Sequence, residues 1–142
     1  MTIKDKLAHY EPKPLGEKGR YAVLLPLIYD VKTDKYQILY QVRSEHISQP
    51  GEVSFPGGRV ENGETFQEAA IRETCEELNL VPDQIDIWGE LDYLIHQGRT
   101  IHCFVGKINI ENWEHIHPNE EVKRLFTVCV DTLLTCLLYT SP

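Results

Sequence analysis

The sequence predicts an α+β protein built on a mixed sheet with helices packed against it. Three observations carry this. Two β-rich segments joined by a polar turn come first, one acidic helix follows, and further β-rich segments close the chain. The 142 residues suit one domain with a real core. Residues 1–19 read as a lead-in and residues 20–142 as the folded domain.

The elements follow in order. The lead-in is polar and carries Pro12, Pro14, Gly16 and Gly19, with a short helix expected at Ile3–His9. Tyr21–Tyr29 (YAVLLPLIY) is an apolar strand. Pro26 inside it has no N–H, so the strand is expected to lie at an edge, to bulge or to split there. Asp30–Lys35 is a turn, and Tyr36–Val42 returns as the second arm of a hairpin. Arg43–Gly58 is loop, punctuated by Pro50-Gly51 and Pro56-Gly57-Gly58, with a short strand at Val53–Phe55.

Thr65–Leu78 is the clear helix. Thr65 with Glu68 three residues on forms a capping-box pattern. Phe66, Ala69, Ala70, Cys75 and Leu78 supply its buried side. Asn79 stands where a helix ends in a left-handed residue, and Pro82 follows. Ile85–Ile95 and Arg99–Ile108 are strands joined by a tight Gln97-Gly98 turn, and Leu125–Val130 is the last strand.

Composition narrows the function classes. A net charge of −8 argues against nucleic acid as the main partner, because direct phosphate contact wants Lys and Arg. It does not argue against a small phosphorylated ligand held through divalent cations. Cys75, Cys103, Cys129 and Cys136 form neither a CxxC pair nor a zinc pattern, and are expected as free thiols in a reducing cytoplasm. No apolar leader opens the chain and no apolar run reaches the roughly 18 residues of a membrane span. The expectation is therefore a cytoplasmic protein; a homodimer is compatible with the sequence. His46, His96, His102, His115 and His117 have no ligand spacing and read as surface or partly buried residues.

The chemistry centres on Arg72-Glu73-Thr74-Cys75-Glu76-Glu77. Residues 73, 76 and 77 stand at i, i+3 and i+4, which puts three carboxylates on one helix face. They repel one another unless a cation joins them. Mg²⁺ takes oxygen ligands at about 2.0–2.1 Å and keeps waters that phosphate oxygens can replace. Arg72, four residues before Glu76, can pin a carboxylate. By spacing alone, a solvated acidic face with an ordinary surface ion pair is an equal reading.

What precedes the helix separates the two. Gly57 and Gly58 allow a close backbone approach, and Glu64 stands at the mouth of the helix. From Gly58 the chain reads GRVENGETFQEAAIRETCEELNL. This resembles the Nudix box: Gly, five residues, Glu, seven residues, Arg-Glu, an apolar residue, any residue, Glu-Glu, any residue, Gly, an apolar residue. Gly58, Glu64, Arg72, Glu73, Glu76, Glu77 and Leu80 fall in the required places. Thr74 stands for the bulky apolar residue, where it is expected to loosen packing slightly. Asn79 stands for the final Gly and can still turn left-handed. The resemblance implies an α/β/α sandwich around a central mixed sheet. It also implies Mg²⁺ (or Mn²⁺) on Glu73, Glu76, Glu77 and Glu64, with Arg72 assisting. The general base is open between Glu77 and an acid of the Asn119-Glu120-Glu121 loop, Glu121 in particular.

A second resemblance lies upstream. Arg43-Ser44 after a strand, then Gly51…Phe55-Pro56-Gly57-Gly58, is similar to the signature of Nudix coenzyme A pyrophosphatases. The basic residue of that signature is missing, with Ile47, Ser48 and Gln49 in its stretch. The resemblance implies Arg43, Ser44, Gly57 and Gly58 at the substrate, and cleavage of coenzyme A to 3′,5′-ADP and 4′-phosphopantetheine. Other small nucleotide substrates remain open: ADP-ribose, a dinucleoside polyphosphate or a damaged nucleoside triphosphate. So does a Nudix module that senses a nucleotide without cutting it. Relatives of this subtype continue through another helix after the last strand, so the C-terminal helix is expected to be cut short here.

Overall fold

A computed structural model describes residues 2–12, 15, 16 and 18–132. The lead-in carries α1 (Ile3–Ala8), capped by Thr2 and Asp5 and without a buried residue. Eight strands follow: β1 (Gly19–Asp30), β2 (Lys35–Arg43), β3 (Val53–Ser54), β4 (Gly57–Arg59), β5 (Ile85–Glu90), β6 (Leu94–His96), β7 (Arg99–Ile108) and β8 (Val122–Cys129). The helix α2 (Phe66–Leu78) comes between β4 and β5. Residues 130–132 are helical; the rest of the expected C-terminal helix and Cys136 lie outside the described residues. No helix among the described residues is long and apolar enough to cross a membrane.

The strands form one mixed sheet ordered β3-β2-β1-β7-β5, with β4 on β1, β6 on β7 and β8 on β2. Among the described residues only β1 and β7 pair in parallel, from Gly19↔Arg99 to Leu27↔Lys107. This agrees with the mixed sheet expected from sequence.

Pro26 does not mark an edge, because β1 is central. Instead β1 changes partner there. Tyr21–Val23 pair with β4, and Leu27–Asp30 pair with β2. Leu24 donates its N–H to the Pro56 carbonyl at 2.9 Å. Backbone directions alternate along a strand, so position 26 faces the same side. A residue with no N–H therefore sits where one partner ends and the next begins.

Alternate residues of β1 (Ala22, Leu24, Pro26 and Ile28) are buried on one face. There α2 covers them. One cluster joins Ala22, Leu24, Ala69, Ala70, Ile85 and Phe104, and a second joins Ile28, Leu39, Leu78 and Ile108. Each fully buried Leu or Ile contributes about 1.5–3 kcal/mol, which holds α2 at a fixed height over the sheet.

The ends of α2 behave as the sequence predicts. Thr65 Oγ accepts from the Glu68 N–H at 3.1 Å, and Glu68 accepts from the Thr65 N–H at 3.1 Å. Asn79 closes the helix at φ 52°, ψ 50°. Thr74 is fully buried, and its hydroxyl donates to the Ala70 carbonyl at 2.7 Å, so the polar group is satisfied within the helix. The expected Ile85–Ile95 strand is broken into β5 and β6 around Leu91-Asp92-Tyr93. The turn after β6 is the tight one expected, with Gln97 at φ 52° and Gly98 at φ 78°.

Candidate active site

Three elements bring the glutamates together: α2, the loop that enters it, and β4. The hub is Arg72. Its Nε and Nη2 donate to both oxygens of Glu64, at 2.7 and 3.1 Å. Its Nη1 donates to Glu73 at 3.0 Å and Glu76 at 3.3 Å. Its Nη2 also donates to the Arg59 carbonyl at 3.0 Å, which ties the incoming loop to the helix. The fork-on-fork pairing with Glu64 is the strong, oriented kind. It raises the guanidinium pKa further, with Glu73 and Glu76 adding to the effect. The same pairing lowers the pKa of Glu64.

The four carboxylates differ in exposure. Glu76 is the open one, with its side chain 54% exposed; Glu64 and Glu73 are at 13% and 18%. Glu77 is 4% exposed. Its two oxygens accept from Gln41 Nε2 and from the Gly57 N–H, each at 3.0 Å. Burial pushes its pKa up to about 7, against those two hydrogen bonds, while the charges of Glu73 and Glu121 push it further up. Glu73 is raised as well, first by burial, then by Glu76 and Glu121, with Arg72 opposing.

The glycines are required by contact. A Cβ on Gly58 would sit 2.5 Å from Glu73 Cδ, and one on Gly57 would sit 2.5 Å from the Ala22 carbonyl oxygen. Neither position has room for a side chain, so the strand and the helix can approach closely enough for Gly57 to reach Glu77.

The other expected residues are placed as follows. Glu121 acts electrostatically on both Glu73 and Glu77, so its loop faces the cluster. That loop is anchored by Asn119 N–H on the Glu77 carbonyl at 2.8 Å and by Ser44 N–H on the Glu121 carbonyl at 2.9 Å. Ser44 itself is buried, and its hydroxyl accepts from the His46 N–H at 3.2 Å. Arg43 turns its guanidinium onto its own loop, donating to the Ser48 carbonyl at 2.9 Å. Neither Arg43 nor Ser44 joins the carboxylates through its side chain.

Gln41 is a site residue that the sequence does not single out. Its Oε1 is buried without a hydrogen-bond partner, beside the most deeply buried carboxylate. The one local signal is a polar residue two positions after Leu39, on the inward face of a strand.

The donor chemistry suits a hard dication: four carboxylates, all oxygen, against one arginine. An unpartnered buried oxygen at Gln41 is a further acceptor in the same place. In the arrangement seen, Arg72 occupies the cluster, and among the described residues no three acidic, His or Cys side chains converge as a ligand set. The fit is therefore one of charge and donor type.

Fold and cluster define an α+β protein whose loop–helix unit gathers Glu64, Glu73 and Glu76 around one arginine and buries Glu77 on the same helix. The NUDIX domain model matches residues 19–135, and the chain belongs to that family. It is similar to Nudix hydrolase 3 of Caenorhabditis elegans, 38% identical over 80% of this chain and 48% of the relative. It is 32% identical to peroxisomal coenzyme A diphosphatase NUDT7 of Mus musculus over 96% of this chain and 61% of the relative. The chain thus spans about half to three fifths of the length of these relatives. Among solved structures, the Nudix hydrolase RenU of M. Smegmatis has a TM-score of 0.69 at 20% identity, covering 89% of each chain, a likeness of fold.

Proposed function

We propose that the protein is a divalent-metal-dependent pyrophosphohydrolase that cleaves coenzyme A or a derivative to 3′,5′-ADP and 4′-phosphopantetheine. The observation that carries the reading is the packing of Glu73 against Gly58 and of Glu77 against Gly57, with Arg72 bonded to Glu64, Glu73 and Glu76. The coenzyme A diphosphatase name of the Mus musculus relative and the Arg43–Gly58 signature support the substrate.

Glu73, Glu76 and Glu77, with Glu64, are the residues that would hold Mg²⁺ or Mn²⁺. When bound, the metal supplies charge neutralisation for the diphosphate and a water of lowered pKa. Arg72 holds Glu64, Glu73 and Glu76 together in the metal-free arrangement. Gly57 and Gly58 let β4 lie close enough to β1 and α2 for the Gly57 N–H to reach Glu77 and for Glu73 to pack against Gly58. Glu77, its pKa pushed up to about 7 by burial, and Glu121 are the two groups to which the reading gives the proton from water. Arg43 contributes by ordering the loop before Gly51, and its unused N–H groups are available to an incoming phosphate.

The test is direct. The protein is incubated with coenzyme A and Mg²⁺, and 3′,5′-ADP is followed by chromatography. No turnover of coenzyme A, ADP-ribose or dinucleoside polyphosphates by a folded sample would sink the enzyme reading. A second reading keeps the chemistry with another nucleoside-diphosphate-linked substrate; the broader name of the Caenorhabditis elegans relative and the absent basic residue at 47–49 favour it. Turnover of ADP-ribose without turnover of coenzyme A selects it. The proposed location is the cytoplasm, and the peroxisomal name of the Mus musculus relative makes imaging of the tagged full-length protein the deciding observation.

A further inference from the structure

We infer that Ser54 is a positioning residue of the glutamate cluster: its hydroxyl donates to Gln41 Oε1 and, through that amide, holds the Glu77 carboxylate in place for a divalent cation. The use of the cation rests on the pyrophosphohydrolase reading; the contact rests on the fold alone. Among the described residues, two buried side-chain oxygens have no hydrogen-bond partner, Gln41 Oε1 and Ser54 Oγ. They belong to residues directly opposite each other in the β2–β3 pair. Opposed residues of an antiparallel pair project from the same face, with Cβ atoms about 4.5–5.5 Å apart. Gln41 is 2% exposed and reaches Glu77 of α2, so Ser54 shares the face that α2 covers.

The two orphans complement each other. One is an acceptor, and the other belongs to a hydroxyl that can donate. An unmet buried polar group is costly, and a turn about the single χ angle of Ser54 lets the two meet. Gln41 Nε2 donates to Glu77 Oε1 at 3.0 Å, which commits the donor end of the amide. The flipped amide would set an acceptor against the carboxylate, so only the orientation seen serves, and it needs a donor at Oε1. With Ser54 in that role, every donor of the chain Ser54–Gln41–Glu77 points toward the negative charge, and each bond strengthens the next.

Ser54 also opens the short bridge Ser54-Phe55-Pro56-Gly57 that crosses from β3 to β4. The bridge is tied down along its length. Phe55 stacks on Tyr40 with ring centroids 5.0 Å apart. Pro56 is fully buried, and its carbonyl accepts from the Leu24 N–H at 2.9 Å. The Gly57 N–H donates to Glu77 Oε2 at 3.0 Å. One anchored segment thus reaches both oxygens of Glu77, directly through Gly57 and through Gln41 by way of Ser54. Groups behind a metal ligand fix its orientation in this manner.

The experiment titrates Mn²⁺ by calorimetry into the full chain freed of metal by chelator, with melting curves confirming the fold of each variant. Ser54→Ala should weaken Mn²⁺ binding about tenfold, the lower end of what groups behind metal ligands contribute. Ser54→Thr keeps the hydroxyl and should stay near wild type. The double variant Ser54→Ala/Gln41→Leu should bind no more weakly than Gln41→Leu, because Ser54 acts through Gln41. In ¹⁵N-labelled protein held in chelator, the Gln41 side-chain amide should exchange with solvent several-fold faster in Ser54→Ala than in wild type. Unchanged Mn²⁺ affinity in Ser54→Ala overturns the positioning role, even where Gln41→Leu weakens binding, as it would if Oε1 met the metal itself. Unchanged amide exchange, losses that add in the double variant, or a wild type that binds no Mn²⁺ overturn it as well. Coenzyme A turnover keeps the two readings apart. The expected Mn²⁺ and exchange results without cleavage of coenzyme A by wild type keep the positioning role and remove the coenzyme A reading. Cleavage by wild type with affinity and exchange unchanged in Ser54→Ala does the reverse.

Discussion

Glu77→Gln should change how the metal-free protein's stability depends on pH. In the folded chain the Glu77 carboxyl titrates at about 7, against an ordinary value of 4.5, chiefly because it is buried. Between those values the folded state keeps a proton that the unfolded chain has released. Stability from this group is thus fully present below about pH 4.5 and is lost as pH rises through about 7. One pKa unit corresponds to about 1.4 kcal/mol, so the whole loss is about 3 kcal/mol. Gln is close to Glu in shape, stays neutral, and can still accept from the Gly57 N–H. Urea unfolding in chelator, at intervals from about pH 5 to about pH 8, reads the difference between wild type and variant. The variant should gain on the wild type by about 2.5 kcal/mol across that range, since part of the loss falls below about pH 5. Glu73 adds a smaller change of the same sign, because a neutral amide in place of the Glu77 carboxylate removes one of the charges beside it. A difference between the two proteins that stays constant with pH refutes the argument.

Other perturbations test neighbouring contacts. Glu76→Gln removes the most exposed carboxylate of the cluster, so turnover should fall by orders of magnitude while the melting curve in chelator barely moves; near-normal turnover refutes its assignment. Gly58→Ala forces a Cβ against Glu73 and should cost about 1–3 kcal/mol in urea unfolding. Gln41→Leu deprives buried Glu77 of its side-chain donor and should cost about 1–3 kcal/mol, more at about pH 8 than at about pH 5. In Mg²⁺ titrations followed by melting, wild type should be stabilised and Glu76→Gln much less so, since a ligand stabilises only the state that binds it.

The sequence makes the local features legible and leaves the distant ones hidden. Thr65 with Glu68, and Asn79, declare the ends of α2 because capping chemistry acts within a few residues. The box spacing likewise places Arg72 among Glu64, Glu73 and Glu76, all within one turn or the adjoining loop. β4 escapes notice because Gly-Gly-Arg has no strand propensity and forms only against β1. The break between β5 and β6 carries neither Gly nor Pro to announce it. Gln41 stands 36 residues from Glu77, and only the folded sheet brings them together. Arg43 shows the opposite limit: its residue type suggests a phosphate, while its nearest acceptor is its own loop.

The change of partner at Pro26 makes the sheet a fork. β1 and β2 run together from Asp30↔Lys35 to Leu27↔Ile38, then part. Beyond that point β4 lines one tine and β3 the other. Glu77 is bonded to both, through Gly57 on the first and Gln41 on the second. A residue with an N–H at position 26 would offer β2 one more rung and invite the fork to zip closed toward Val23. Closure would displace Gly57 and pull the two donors of Glu77 out of reach together. The missing hydrogen of one proline, distant in sequence from any of these glutamates, thus falls at the mouth of the gap that the Glu77 carboxylate spans.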